Sequence, residues 1–341
     1  KFQPGDIPGR PNYCPPMDGK SDLQQMQAQE IAAYHDNPTW EQLVAKRLKF
    51  FGCNSYIDSE IGRVTAAVDA LHGDDTMIIY TSDHGDQLGS HGLHDKGPQM
   101  YEESTNIPFI VRGPGVPGGA VSQALLSHLD ILPTMLDLAG EEIPESLHGV
   151  SQAPVLADPT AAVREHVFVS YNLNEPGEQE RGGLYPIRCV SNERYKLAVN
   201  LFDRDEFYDL EADPHEVNNL GNDPKYRTVL IQLRTRLQQI VKELPDLSFY
   251  PENFLVDEIL PAGAEYGKQH REQIVRLVEV ADLALLDFSA AKQRLQESLR
   301  SSDRWERYWA VIACSCFGRQ AASLAAEIDK LSDDTEHLVQ L

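Results

Sequence analysis

Thr76-Met77-Ile78-Ile79-Tyr80-Thr81-Ser82-Asp83-His84-Gly85-Asp86 is the stretch on which the reading of the chain turns. It opens as a short apolar run with no alternation between faces, which suits a strand covered on both sides, as in a parallel sheet. The run ends in Asp-His-Gly, and open α/β sheets place ligands at the carboxyl ends of their strands. An ionised Asp is a hard oxygen ligand, the adjacent imidazole offers a neutral nitrogen, and Gly85 permits a sharp exit from the strand. Asp83 and His84 are therefore candidate metal ligands, with the rest of the set to come from elsewhere. On these residues alone, a loop-bonding or helix-capping role competes on equal terms.

The flanking sequence extends the α/β pattern. A long helix is expected from Trp40, with Ile57, Ile61, Val64, Val68 and Leu71 forming one buried stripe. Ile107 to Val111 is a second apolar run, closed by Gly113-Pro114-Gly115. A helix over about Asp130 to Leu138 follows, with Gly140 as its stop signal. Helix, buried strand, loop, strand, helix is the grammar of an open α/β sheet. The first forty residues, rich in Pro, Gly, Asp and Gln, read as a surface loop.

From about Ala161 the pattern changes. Val167 to Tyr171, Tyr185 to Val190, Tyr195 to Asn200 and Glu206 to Leu210 are short strand candidates. Val229 to Val241 is an amphipathic helix with Leu230, Leu233, Leu237 and Ile240 on one face. Together they predict a small antiparallel sheet packed by one helix. The tail from about Phe288 is helical, with Ser302-Asp303-Arg304-Trp305 starting one helix and Ser332-Asp333-Asp334 another. Helix pairs at that period resemble HEAT-type repeats; an ordinary helical hairpin is the alternative. The expected boundaries are 1–160, 161–250, 251–287 and 288–341.

Composition limits the partners. With 53 acidic and 30 basic residues the net charge is -23, which argues against nonspecific binding to nucleic acid or to an anionic membrane. No apolar stretch is long enough for a spanning helix. Five cysteines, at 14, 53, 189, 314 and 316, lack Cys-x-x-Cys spacing. Cys53, Cys314 and Cys316 lie in helix-like apolar segments and are expected to be buried. Lys1 to Gly5 is neither an initiator methionine nor a signal peptide, and Asp333 to Leu341 reads as the beginning of a helix, so the chain is expected to be a fragment lacking sequence on both sides.

The loop after the Asp-His pair, Gln87 to Pro98, carries three glycines, His91, His94 and Lys96. A lysine on a Gly-rich loop beside a cation site is suited to clamp an anion. Thr81 to Gly92, Asp95-Lys96-Gly97, Tyr101-Glu102-Glu103-Ser104 and Ile107-Pro108 together resemble the type I sulfatases of the alkaline phosphatase superfamily. Tyr56 to Arg63, Leu129 to Thr134, Arg194 to Leu197 and Tyr208 to Pro214 extend the resemblance in the same order.

That resemblance implies a partial alkaline-phosphatase-like sheet with helices on both faces, then the small sheet-plus-helix subdomain and the helical tail. It implies hydrolysis of a sulfate ester, from a sulfated small molecule or glycan, by a formylglycine nucleophile. It also implies a divalent cation, by preference Ca2+, with Mn2+ or Zn2+ as alternatives. Asp83 and His84 match the later pair of metal ligands, and Lys96 the lysine that contacts the sulfate. His91 and His94 lie in the matching substrate loop. A periplasmic or secreted location is the family-level expectation. The sequence departs from the family in having no Cys or Ser followed by x-Pro-Ser-Arg, and in lacking the first acidic ligand pair. Both would lie before Lys1, and this part alone is expected to be inactive. A phosphonate or phosphate monoester hydrolase of the same superfamily, or a non-catalytic binding or scaffold protein, are the alternative readings.

Overall fold

The computed structural model describes residues 2–7, 9–13, 16–34, 39–73, 75–173 and 185–340. The N-terminal stretch is not the surface loop expected from its composition. It carries a helix, α1 (Asp22–Tyr34), and Asn12, Lys20 and Gln24 are fully buried. Its contribution to the interior is polar, so no apolar period announces it. Lys20 Nζ lies 2.6 Å from both the Tyr208 hydroxyl and the Glu216 carbonyl oxygen.

Thr39 starts the next helix, α2 (Trp40–His72), through a capping box. Its hydroxyl accepts from the Gln42 N–H, and the Gln42 amide oxygen accepts from the Thr39 N–H. Only Leu43, Val44 and Arg47 of α2 are buried. The stripe expected to be buried is not: Ile57 is 46%, Val64 64% and Leu71 78% accessible, and Ile61 and Val68 are half-buried.

β1 (Ile78–Thr81) is followed by a short helix, α3 (Glu102–Thr105), and by β2 (Phe109–Arg112). β1 and β2 pair antiparallel, with Ile78 opposite Arg112 and Thr81 opposite Phe109. The apolar run had suggested a parallel neighbour covered on both faces. The intervening segment lacks the full crossover helix that a parallel return needs, so the chain folds straight back.

α4 (Ile131–Ala139) ends at Gly140, which adopts the left-handed conformation at φ 75°. Buried Asp130 organises the turn before it. Its carboxylate accepts from the Ser127 and Val150 N–H groups and the Gln152 side-chain amide, each at 2.9 Å, and pairs with Arg164. α5 (Ala153–Ala157) follows.

A four-stranded sheet then runs in the order β3 (Val167–Leu173), β4 (Tyr185–Ser191), β5 (Tyr195–Asn200), β6 (Glu206–Asp209). β5 and β6 are antiparallel, with Tyr195 opposite Asp209. α6 (Arg227–Glu243) buries Leu233, Leu237 and Ile240, while Leu230 is half-buried. The remainder is helical: α7 (Glu252–Phe254), α8 (Gly263–Gln269), α9 (Arg271–Ala281), α10 (Phe288–Ser298), α11 (Arg304–Phe317) and α12 (Ala325–Ile328). α11 begins where expected, the Asp303 carboxylate accepting from the Trp305 N–H. Around Asp334 only a short 3-10 turn (His337–Val339) follows.

The chain divides into two compact units. One is Lys1–Val169 with Cys189–Ala198 and Asp205–Leu230; the other is Ser170–Arg188 with Val199–Arg204 and Ile231–Leu341. The architecture is mixed α/β, with small antiparallel sheets and a helical C-terminal region. Among the described residues no helix is long and apolar enough to cross a membrane. Cys314 is buried as expected, but Cys53 and Cys316 are exposed.

Candidate functional site

β1 delivers Ser82, Asp83 and His84 to its carboxyl end. The turn that follows is possible only with glycine at position 85, since a Cβ there would lie 1.8 Å from the Glu103 carbonyl oxygen. The Gly85 N–H donates to the Ser104 carbonyl at 3.0 Å, docking the turn on α3.

The His84 ring has Nδ1 2.7 Å from the Gly85 carbonyl oxygen, so Nδ1 carries the hydrogen and donates. Nε2 lies 3.6 Å from Asp83 Oδ2. A histidine that gives its other ring N–H to a backbone carbonyl is in the state a metal ligand needs. Two donors around one hard cation, each at about 2.3–2.6 Å from it, are spaced by comparable distances. Asp83 is held below the usual carboxylate range, first by the hydrogen bond from the His84 N–H. Its side chain is 85% exposed. Among the described residues no group of three or more His, Cys, Asp or Glu side chains could by itself hold a metal. The pair fits as part of a ligand set.

The neighbouring loop is held in a strained conformation. Leu88, His91 and Asp95 all have φ between 46° and 60°, which non-glycine residues seldom adopt. Backbone bonds over-determine it: Gln87 N–H to the Asp95 carbonyl, Gly89 N–H to Leu93, and His91 N–H to Asn12. Arg47 of α2 donates from Nε to the Leu88 carbonyl at 2.8 Å.

The loop's three candidate side chains are placed differently. His91 is fully buried, stacked on Tyr101 with ring centroids 3.6 Å apart, and its Nε2 lies 3.2 Å from Asn12 Nδ2, which donates. Burial pushes its pKa down to about 2, with the charges on Lys20, His215 and Lys196 adding to the shift. His94 is half-buried, and its Nδ1 lies 3.2 Å from Lys46 Nζ. Lys96 is exposed, its ammonium 3.6 Å from the Asp95 carboxylate. The structure thus brings Asp83 and His84 together, while His91 serves as a buried prop for the loop that carries Lys96.

Two contributors escaped the sequence reading. The His128 ring places Nε2 2.7 Å from the Ser82 carbonyl oxygen, tying the turn before α4 to the end of β1. Its position just before Leu129-Asp130 was the available signal. Asn12 also donates from Nδ2 to Glu103 at 2.7 Å, and lay in the stretch expected to be loop. Residues 174–184, whose Gly and Glu content specifies little about a substrate, lie outside the described residues.

With this geometry in hand, comparison with known proteins adds the following. Residues 9–141 match the family model described as Sulfatase, and residues 89–243 match that of N-sulphoglucosamine sulphohydrolase, C-terminal. An uncharacterized sulfatase of Escherichia coli, YidJ, is 38% identical over 199 residues, covering 58% of this chain and 38% of that protein. An endo-4-O-sulfatase of Bacteroides thetaiotaomicron is 30% identical over 270 residues, covering 72% of this chain and 53% of that protein. Among solved structures, a phosphonate monoester hydrolase from Silicibacter pomeroyi superposes with a TM-score of 0.61 at 25% identity, covering 71% of this chain and 51% of that chain. The chain spans about half the length of the relatives it matches.

Proposed function

We propose, from the match of residues 9–141 to the Sulfatase family model and of residues 89–243 to that of N-sulphoglucosamine sulphohydrolase, C-terminal, that this chain supplies the later half of the active site of a sulfuric ester hydrolase. The observation that carries this reading is the Asp83–His84 pair. It stands at the carboxyl end of β1, with the imidazole tautomer fixed by the Gly85 carbonyl and Nε2 open beside the carboxylate.

Asp83 and His84 would hold a divalent cation, with calcium the first choice for a site rich in carboxylate oxygen and manganese or zinc the alternatives. Once bound, the cation supplies charge neutralisation and Lewis acidity at the sulfate oxygens. Lys96 presents an ammonium from the glycine-rich loop, stabilising negative charge as the ester bond breaks. His94, with Lys46 beside it, lines the approach, and His91 fixes the loop's shape. The nucleophile, a formylglycine in this family, and the first acidic ligand pair would come from residues outside this chain, without which it is inactive. Sulfated sugars are the substrate class we favour, since the matched C-terminal model is that of a sulphohydrolase of N-sulphoglucosamine. The helical tail we read as HEAT-like. In support, Gln273 of α9 donates to Asp303 and Arg307 of α11 donates to Asp334, two acceptors 31 positions apart.

The superposition on a phosphonate monoester hydrolase keeps one second reading alive, hydrolysis of phosphonate or phosphate monoesters. Assaying the complete gene product on an aryl sulfate and an aryl phosphonate separates the two. Lys96→Ala should lower kcat/KM on the better ester by roughly 10²–10³, with metal content unchanged. A Lys96→Ala enzyme with undiminished kcat/KM would remove the lysine from the site.

A further inference from the structure

Lys196 of β5 is buried although it carries a charge. Its ammonium has three hydrogens to place, and three oxygens surround it. Nζ donates to the Met100 carbonyl at 2.9 Å and lies 2.5 Å from Glu102 Oε1, both at the start of α3. The third oxygen is Oε1 of Glu216, 2.9 Å away, from the turns that follow β6. Glu216 is fully buried, and its other oxygen accepts from the Glu102 N–H at 2.6 Å. Its backbone stands at φ 52°, in the left-handed region that disfavours any side chain, and its carbonyl accepts from Lys20. The sheet thus grips the first turn of α3 through one ammonium and one carboxylate.

That grip is costly. Each ion taken out of water carries a desolvation penalty, and a well-packed apolar cluster would join the same elements at least as firmly. What an ion pair with hydrogen bonds supplies, and apolar contact does not, is a fixed direction and distance. The segment held in this way is the one against which the candidate site is built. The Ser104 carbonyl accepts from the Gly85 N–H, and the Ser104 hydroxyl accepts from Gln87 Nε2 at 2.8 Å. The Tyr101 ring stacks on His91 of the loop that carries Lys96. The Gly85 carbonyl in turn holds the His84 ring through Nδ1. From β5 to His84 every link is therefore a polar contact of defined geometry.

We propose that Lys196 and Glu216 are positioning residues, which fix the first turn of α3 and, through it, the Gly85 turn and the orientation of Asp83 and His84. The inference rests on the hydrolase reading only in calling that turn part of an active site.

The test uses this chain at pH 8, above the ordinary range of histidine, with Glu216→Gln as the first variant. The side chain keeps its size, and Lys196 keeps Glu102 as its counter-ion. Removing a buried charge relieves its desolvation, so the thermal midpoint should hold or rise. An amide, however, offers one oxygen where the carboxylate offers two, so either Lys196 or the Glu102 N–H loses its partner. Hydrogen exchange at Glu102 and Gly85 should quicken by roughly tenfold or more, while the amides of α4 exchange as before. The ring nitrogen resonances of His84 should shift from the Nδ1–H pattern towards a mixture of tautomers, as its tie to the Gly85 carbonyl loosens. The paired variant Lys196→Met/Glu216→Gln, which removes the ammonium as well, should reproduce both changes. Unaltered Gly85 exchange and His84 resonances in either variant would overturn the proposal. So would a fall in thermal midpoint for Glu216→Gln with all amides of the first unit quickening together, which would make Glu216 a structural ion and nothing more. If the complete gene product cleaves neither an aryl sulfate nor an aryl phosphonate, the hydrolase reading fails, and the exchange and resonance results still decide whether the grip orients His84.

Discussion

At the scale of single residues, the site depends on two that never touch substrate. Gly85 is one, because its missing Cβ is what lets the turn after β1 sit on the Glu103 carbonyl. Gly85→Ala should cost at least about 1–3 kcal/mol, the usual range for forced overpacking, read as a drop in the urea midpoint. His91 is the other, and its burial makes stability depend on pH with a definite sign. Its folded pKa of about 2 lies below the unfolded value of 6.5. The stability contributed is therefore complete above pH 6.5 and is lost as pH falls, since the unfolded chain takes up a proton that the folded one refuses. The slope approaches about 1.4 kcal/mol per pH unit below that point. Urea midpoints between pH 7.5 and 4.5 should fall for the native chain and flatten on this limb for His91→Phe, which keeps the stack on Tyr101. Equal acid slopes for both chains would show that His91 does not govern the limb.

At the scale of elements, legibility tracked whether an element's reasons were local. α4 could be read from its period and from Gly140, and α11 from Asp303, because a cap acts within one turn. α1 could not, because its surroundings are held by hydrogen bonds such as Lys20 to Tyr208, between residues far apart in sequence. The pairing of β1 was misjudged for a related reason: an apolar run reports burial, whereas direction is set by the connection that follows it. The local reasons can be tested where they act. Asp303→Ala removes the cap on α11 and the acceptor for Gln273, and should cost about 0.5–2 kcal/mol, seen as earlier thermal unfolding. Asp282, at the end of α9, gives the second unit a pH dependence opposite to that of His91. Burial pushes its carboxyl up to about 6, against the pull of Arg188, Lys242 and Arg234 and the hydrogen bond from Gln238. A carboxyl with a raised folded pKa stabilises below its unfolded pKa near 4, and that stability is lost as pH rises towards 6. Asp282→Asn should therefore stabilise α9 and α11 above pH 6 by about 1–3 kcal/mol, measured as slower hydrogen exchange of their amides.

At the scale of the whole molecule, the candidate residues could be named from sequence, but the side chains that hold their loop could not. The placement of Asp83 and His84 at the end of a strand was legible because the apolar run stops at them, and Lys96 was singled out because its loop is rich in glycine. The props of that loop, Asn12 and Arg47, were not, since each acts through a fold that brings distant segments together. What composition does supply is the field. If the proposed function holds, the net charge of -23 on this chain would repel an anionic sulfate ester at long range, while Lys96 and a bound cation would attract it only at contact. Added salt screens the first effect more than the second, because the Debye length falls from about 30 Å at 0.01 M to about 8 Å at 0.15 M. Most enzymes that steer a charged substrate lose rate as salt rises; here the sign should reverse. In the complete gene product, kcat/KM for an anionic aryl sulfate should rise between about 0.01 and 0.15 M NaCl, whereas kcat, measured at saturation, should stay nearly constant. A zwitterionic sulfate ester, with no net charge to be repelled, should show no such rise. If kcat/KM for the anionic ester instead fell with salt, the charge around the site would have to be cationic, and the local charges on Lys46, Lys96 and the metal would outweigh the acidic surface at the distances over which substrate approaches.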